Sequence, residues 1–340
     1  MNRYYSLFLC ALMLLIFMSC GQKGPKDPVK LKRIQGVNFK GSPIRSDLVE
    51  FINLKNSRVN YVSLMPFAMA NQGKSDLTWT DNPWQYWGES AEGIQVCVDL
   101  AKEKGMMSMI KPMIWLMDGA ILDEFDLRTE SDWELMENKY RKYILEYAEM
   151  SEKNRLPLYC IGSELDTWAV KRPEFWRGLI AEVRKVYNGD LIYACRSGME
   201  ERIVFWDALD YVGLTVYESL SGEEIPSVDS LTRGWQPIKE RMRLFSEKVN
   251  KRIIFTEWGY TRSKYCAQIP DRDTLVGGES EEAQANCYDA LLSTFEKEPW
   301  WVGGFIWQWF PTVDQAKNAQ DFYSPQERAA QKVLMKHWKK

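Results

Sequence analysis

Eight short apolar segments, each followed by a stretch with helical periodicity, restrict this chain's fold more than any other feature. The segments are Leu31–Phe39, Val59–Met65, Met106–Leu116, Pro157–Glu164, Leu191–Cys195, Tyr211–Tyr217, Arg252–Tyr260 and Val302–Trp309. Short apolar runs bounded by turn signals read as buried strands. Between them lie helical patterns. Leu48, Phe51 and Ile52 line one over 47–56, and Ile94, Val98 and Ala101 follow a Ser90 cap and end at Gly105. Ser131-Asp132-Trp133-Glu134 reads as a capping box ahead of Met136, Tyr140, Tyr143, Ile144 and Tyr147. Pro173 opens a helix through Val183, 200–209 is a short connecting helix, and 236–248 and 280–297 continue the series. Ser324-Pro325-Gln326-Glu327 reads as a second capping box, opening the last helix. Strands alternating with helices form right-handed βαβ units on a parallel sheet. Eight units in roughly 300 residues predict one closed (β/α)8 TIM barrel. The alternative is an open doubly wound sheet, but no GxGxxG or phosphate-binding loop follows any strand.

The first nineteen residues stand apart from that pattern. A positive start at Arg3 leads into an apolar run from Tyr5 to Met18, which reads as a secretory signal peptide over 1–19. Ser19-Cys20 resembles a bacterial lipobox, with Cys20 as the lipid-bearing residue, although Phe17 and Met18 depart from the usual pattern and plain secretion is the alternative. Residues 20–30, with Pro25 and Pro28, form a flexible tether, and 31–340 form the catalytic barrel domain. The expectation is an exported, membrane-anchored lipoprotein of the bacterial periplasm or cell surface. Its oligomeric state is left open.

Composition narrows the chemistry by exclusion. Net charge is −3 with both signs interspersed, so no basic stripe points to nucleic acid. The single histidine, His337, lies at the end of the chain, which argues against a Ser-His-Asp triad or a His-ligated zinc. The cysteines show no metal-type spacing. Cys97, Cys160 and Cys195 read as buried thiols, and pairing of Cys266 with Cys287 is left open. Carboxylates remain. Glu164 follows Gly162-Ser163 at the end of the fourth strand, and Glu257 precedes Trp258 at the end of the seventh. In a barrel, the active site forms where strands end. These two acids are placed to face each other across the mouth. Retaining cleavage of a glycosidic bond needs two such groups, about 5–5.5 Å apart, one protonated and one nucleophilic.

Several stretches together resemble glycoside hydrolase family 113, the β-mannanase-type barrels of clan A. They are Lys111-Pro112, Ile161-Gly162-Ser163-Glu164, Phe255-Thr256-Glu257-Trp258-Gly259-Tyr260, the run from Glu282 to Ala290, Gly303–Trp309 and Asp321–Gln326. The resemblance implies Glu164 as general acid/base and Glu257 as nucleophile. It implies Tyr217 as the hydrogen-bond donor to that nucleophile and Trp307 as the floor under the sugar being cleaved. The expected reaction is double displacement on a β-linked glycan, most of all a β-1,4-mannan or manno-oligosaccharide, with no metal or organic cofactor. Two departures concern the substrate: Ser163 stands where most of the clan has Asn, and Cys195-Arg196 ends a strand where relatives tend to have Asn. Arg196 is a candidate ligand of an acidic or modified sugar, or the partner of a neighbouring carboxylate. Further candidates for binding substrate are Asn38, Lys111, Trp115, Trp168 and Trp258, with Trp84 and Trp87 in outer subsites. Lys111, in an apolar strand, needs a ligand or an ion-pair partner. Two rival readings are a lipoprotein that binds glycan without cutting it, and the same chemistry on another β-glycan.

Overall fold

Eight parallel strands close on themselves: β1 (Ile34–Phe39), β2 (Tyr61–Leu64), β3 (Met107–Ile110), β4 (Leu158–Ser163), β5 (Asp190–Arg196), β6 (Val212–Val216), β7 (Ile253–Trp258) and β8 (Trp301–Trp309). Each pairs with its neighbours in sequence, and β1 completes the ring, with Gly36 beside Tyr61 of β2 and Phe305 of β8. The fold is the expected single (β/α)8 barrel. This computed structural model describes residues 32–80 and 83–338, and from Arg33 onward the chain forms one compact unit. The signal segment, Cys20 and the tether lie outside the described residues.

Helix starts follow side-chain chemistry. Asp47 caps Leu48–Asn56 by accepting the Val49 N–H at 2.8 Å, Ser90 caps Ala91–Glu103, and Ser280 caps Glu281–Phe295. Thr129, not Ser131, caps Glu130–Lys153: its hydroxyl accepts the Asp132 N–H at 3.1 Å, and Ser131 lies inside the first turn. The helix placed over 236–248 begins at Val228 behind a Ser227 cap and carries Pro237 within it. The box at Ser324 opens no helix directly. Gln326 turns away to bond both backbone groups of Phe310, and Glu327 adopts a left-handed φ of 59°, so the last helix is Ala329–His337.

The third predicted strand is two. It stops at Ile110, passes Lys111-Pro112, and resumes as Met113–Leu116 in a separate parallel pair with Phe67–Ala70. Proline lacks the N–H that would continue the ladder. The small sheet thus extends the chain beyond β2 and β3 at the end where the barrel's loops gather.

Alternation sets which side of a strand a residue faces, and β7 interrupts it with a register shift against β6 between Phe255 and Glu257. On β7, Phe255 packs on Phe295 and Trp258 on Tyr288, both at 5.0 Å, so both rings face the helices although they lie three residues apart. Outside β4, Tyr140, Trp168, Phe175 and Trp176 form an aromatic cluster with centroids 5.0–6.4 Å apart. Each such pair contributes about 0.5–1.5 kcal/mol beyond area burial. Gly162 touches this cluster: a Cβ there would sit 2.7 Å from the Trp176 ring and 2.9 Å from the Tyr140 hydroxyl. Only glycine lets β4 lie this close just before Ser163 and Glu164.

Candidate active site

The end of β4 delivers the first carboxyl. Ser163 is buried, and Glu164 turns into the left-handed region at φ 55°, its N–H donating to the Ala194 carbonyl on β5 at 2.8 Å. That conformation costs a residue with a Cβ about 1–2 kcal/mol. Burial pushes the Glu164 acid up from its ordinary 4.5 to about 8, and the charge of Glu257 adds to the rise. Lys111 opposes it, Asp166 reinforces it and Arg196 opposes it more weakly. The largest cause is therefore the low-dielectric site itself.

The end of β7 holds its carboxylate differently. Glu257 is 7% exposed, and each of its oxygens has a donor. The Tyr217 hydroxyl, just past β6, donates to Oε1 at 2.7 Å. Lys111 Nζ, just past β3, donates to Oε2 at 3.0 Å. The Lys111 side chain is fully buried, so this is an ion pair out of water, where losing either partner is costly. Burial and the adjacent Glu257 charge keep the Tyr217 proton on, so the phenol remains a donor. Lys111 Nζ also lies 5.7 Å from the ring centroid of Trp307, the partly exposed indole on β8. That indole packs against Met65, Phe67, Met69 and Met113, and its peptide bond to Gln308 is cis.

The remaining predicted residues divide. Asn38 is fully buried; its amide donates to the carbonyls of Thr256 (3.2 Å), Phe305 (3.4 Å) and Ile306 (3.4 Å), tying β1 to β7 and β8 beside Glu257. Trp115 is 56% exposed on the small outer sheet, 6.5 Å from the Phe67 ring. Arg196 has a carboxylate partner, donating to Asp123 Oδ2 at 2.6 Å. Two expectations need correction. Trp168 is a core residue with no exposed surface, enclosed by Phe125, Trp133, Tyr140, Phe175 and Trp176. Trp258 follows Glu257 on one strand and so points the other way, into the helix layer.

Two acids were not anticipated. Asp166 is buried and accepts from the Tyr193 hydroxyl (3.0 Å) and the Arg196 N–H (2.9 Å). Burial nonetheless lifts its acid to about 6, against the pull of those two donors. Asp123 is the partner of Arg196. The only sequence signal for Asp166 is a second acid two places after Glu164. Among the described residues no cluster of His, Cys, Asp and Glu is arranged to hold a metal. What the site offers is two carboxyls in unlike settings: one with its proton held on, one neutralised by an ammonium and a phenol. That asymmetry separates an acid from a nucleophile or base.

Comparison with known proteins agrees with this geometry. The model of Glycoside Hydrolase Family 113 matches residues 44–325, most of the chain. No curated protein matches. Among solved structures, the GH113 β-mannanase AaManA from Alicyclobacillus acidocaldarius, in complex with ManMIm, superposes with a TM-score of 0.78 at 23% identity, over 91% of this chain and 97% of that one. A GH113 β-1,4-mannanase complex gives 0.77 at 22% identity, over 91% and 99%. A β-glucuronidase from Faecalibacterium prausnitzii gives 0.59 at 15%, over 90% of this chain and 49% of that one. These structures share the fold; the family match spans both candidate carboxyls. The chain is a glycoside hydrolase and belongs to family 113.

Proposed function

We propose that this enzyme cleaves β-1,4-linked mannan or manno-oligosaccharides with retention of anomeric configuration. Glu164 protonates the leaving glycosidic oxygen while Glu257 attacks the anomeric carbon. Glu164, now a carboxylate, then takes a proton from water, and that water releases the sugar from Glu257. Tyr217 and Lys111 fix the nucleophile by holding one oxygen each. Trp307 offers its ring to the apolar face of the sugar at the cleavage point. The observation that carries this reading is the unlike treatment of the two acids: Glu164 raised to about 8, Glu257 held between a phenol and a buried ammonium. The two GH113 mannanase structures support mannan as the substrate. We further propose that residues 1–19 export the chain and that Cys20 anchors it by a lipid, on the strength of the apolar run and Ser19-Cys20 alone.

Mannan, glucan and xylan oligosaccharides, with products followed by chromatography and by the anomeric proton signals, test the proposal. Cleavage of the mannan series with the β-anomer appearing first is expected. Faster cleavage of another series moves the substrate while leaving the mechanism. Binding without release of sugar from any series refutes catalysis.

A further inference from the structure

The two carboxyls differ in what aims them. Glu257 has a donor on each oxygen, whereas among the described residues no group bonds the Glu164 carboxyl. Its direction is therefore set by its backbone. That backbone turns out of the sheet: Ser163 is the last residue of β4 in register with β5, opposite Ala194, and Glu164 then takes its left-handed φ of 55°. The Glu164 N–H still reaches the Ala194 carbonyl at 2.8 Å. A continuing parallel ladder would next bring the Arg196 N–H to the Glu164 carbonyl. The turn removes that acceptor, and a buried N–H needs another.

Asp166 supplies it. Its Oδ2 accepts the Arg196 N–H at 2.9 Å, and its Oδ1 accepts the Tyr193 hydroxyl at 3.0 Å. Both partners are fixed. Arg196 ends β5, and the Tyr193 ring has no exposed surface, 5.1 Å from Trp176 and 5.5 Å from Phe205. Two places further on, Trp168 sits in the aromatic core. The segment Glu164–Trp168 is thus held at three points, by the Ala194 carbonyl, by the Asp166 carboxylate and by the Trp168 ring. Asp166 itself is 1% exposed, and Tyr193, Cys195 and Arg196 of β5, Asp123 of the preceding loop and Glu164 face it. A side chain with this much of its surface buried and both oxygens bonded across two strands is a built part of the site.

We propose that Asp166 is the positioning residue of the general acid: by taking the β5 bond that the turn gives up, it fixes the direction in which Glu164 presents its proton. The proposal rests on the reading of Glu164 as acid/base and extends it to a residue that touches no substrate. Asp166 also acts through charge. Its acid is lifted to about 6 and that of Glu164 to about 8, so between those values Asp166 is a carboxylate beside a protonated Glu164, and its charge helps keep that proton on.

Leaving groups separate aim from fold. A dinitrophenolate departs without a proton, whereas the sugar alkoxide of an oligosaccharide needs one from Glu164. The pair is made in whichever β-linked series the enzyme cleaves, and kcat/KM is measured from pH 4 to 9. Asp166→Ala should lose roughly 10- to 100-fold on the oligosaccharide, the cost of a misplaced group, and several-fold less on the dinitrophenyl glycoside. Asp166→Asn can still accept the Arg196 N–H and bond the Tyr193 hydroxyl, so it should restore most of the oligosaccharide rate. Without the charge, its alkaline limb should move to lower pH by roughly half a unit. Equal losses on both substrates in Asp166→Ala, or an alkaline limb that stays in place in Asp166→Asn, overturn the proposal. Should Asp166→Ala fail to fold, judged by its thermal midpoint, the limb of Asp166→Asn decides. Glu164→Gln is the control for the underlying reading and should show the same selective loss, only larger. If it does and Asp166→Ala does not, Asp166 alone is misassigned; if Glu164→Gln shows none, or no series turns over, the acid/base reading falls and the proposal with it.

Discussion

Replacing Glu164 by Gln should stabilise the protein, and increasingly so as pH rises. The carboxyl is raised in the fold from 4.5 to about 8. Below 4.5 the folded and unfolded chains both hold the proton, and nothing is lost. Between 4.5 and 8 the unfolded chain releases it while the folded chain keeps it, so stability falls with pH. Above 8 the loss is complete. The rise from 4.5 to about 8 sets an upper figure of roughly 5 kcal/mol. Residual solvent contact at Glu164 reduces this, and about 2–5 kcal/mol is the working range. Gln keeps the shape and cannot ionise, so it avoids the whole loss. Urea unfolding of both proteins at half-unit intervals from pH 4 to 9.5 measures the difference. The variant's advantage should grow through the window and level off above 8. A difference that stays flat, or shrinks with rising pH, refutes the claim that the site holds Glu164 protonated.

Other consequences follow from the same contacts. Tyr217→Phe removes a 2.7 Å charge-assisted bond to Glu257. At about 1.5–3 kcal/mol for such a bond, kcat/KM should fall roughly 10- to 100-fold, with the thermal midpoint nearly unchanged. Lys111→Met leaves Glu257 without its cation in a buried setting; unfolding free energy should drop by about 3–5 kcal/mol in urea, and an unchanged value contradicts the ion pair. Cys266 and Cys287 are both buried with sulfurs 3.7 Å apart. Protein made through an oxidising compartment should carry them as a disulfide, seen as two thiols that resist alkylation until reduced; ready alkylation without reductant contradicts it.

The barrel was legible because its signal is local. Each strand is a short apolar run, and eight of them in alternation leave few topologies. The two glutamates were legible for the same reason, since a carboxylate at the end of an apolar strand lies at the mouth of a barrel. Errors arose where spacing along the chain says little about neighbours in space. Met113–Leu116 pairs with Phe67–Ala70, a contact that no periodicity announces. Lys111 needed a partner, and that partner proved to be Glu257, nearly 150 positions away in sequence. Trp258 could have been excluded beforehand: if Glu257 faces the mouth, alternation turns the next side chain to the helices. Trp168 offered no such clue, because an indole in a loop-side segment suits a groove and a core equally.

The central claim is that Glu257 becomes covalently bonded to the sugar. A 2-deoxy-2-fluoro mannosyl fluoride, or its bioside, slows release of the glycosyl enzyme enough for peptide mass mapping. The label should fall on the peptide containing Glu257 and be absent in Glu257→Gln, while Glu164→Gln accumulates label only from substrates with an activated leaving group. A label on another residue, or active enzyme that yields the inverted anomer and no label, would contradict the mechanism.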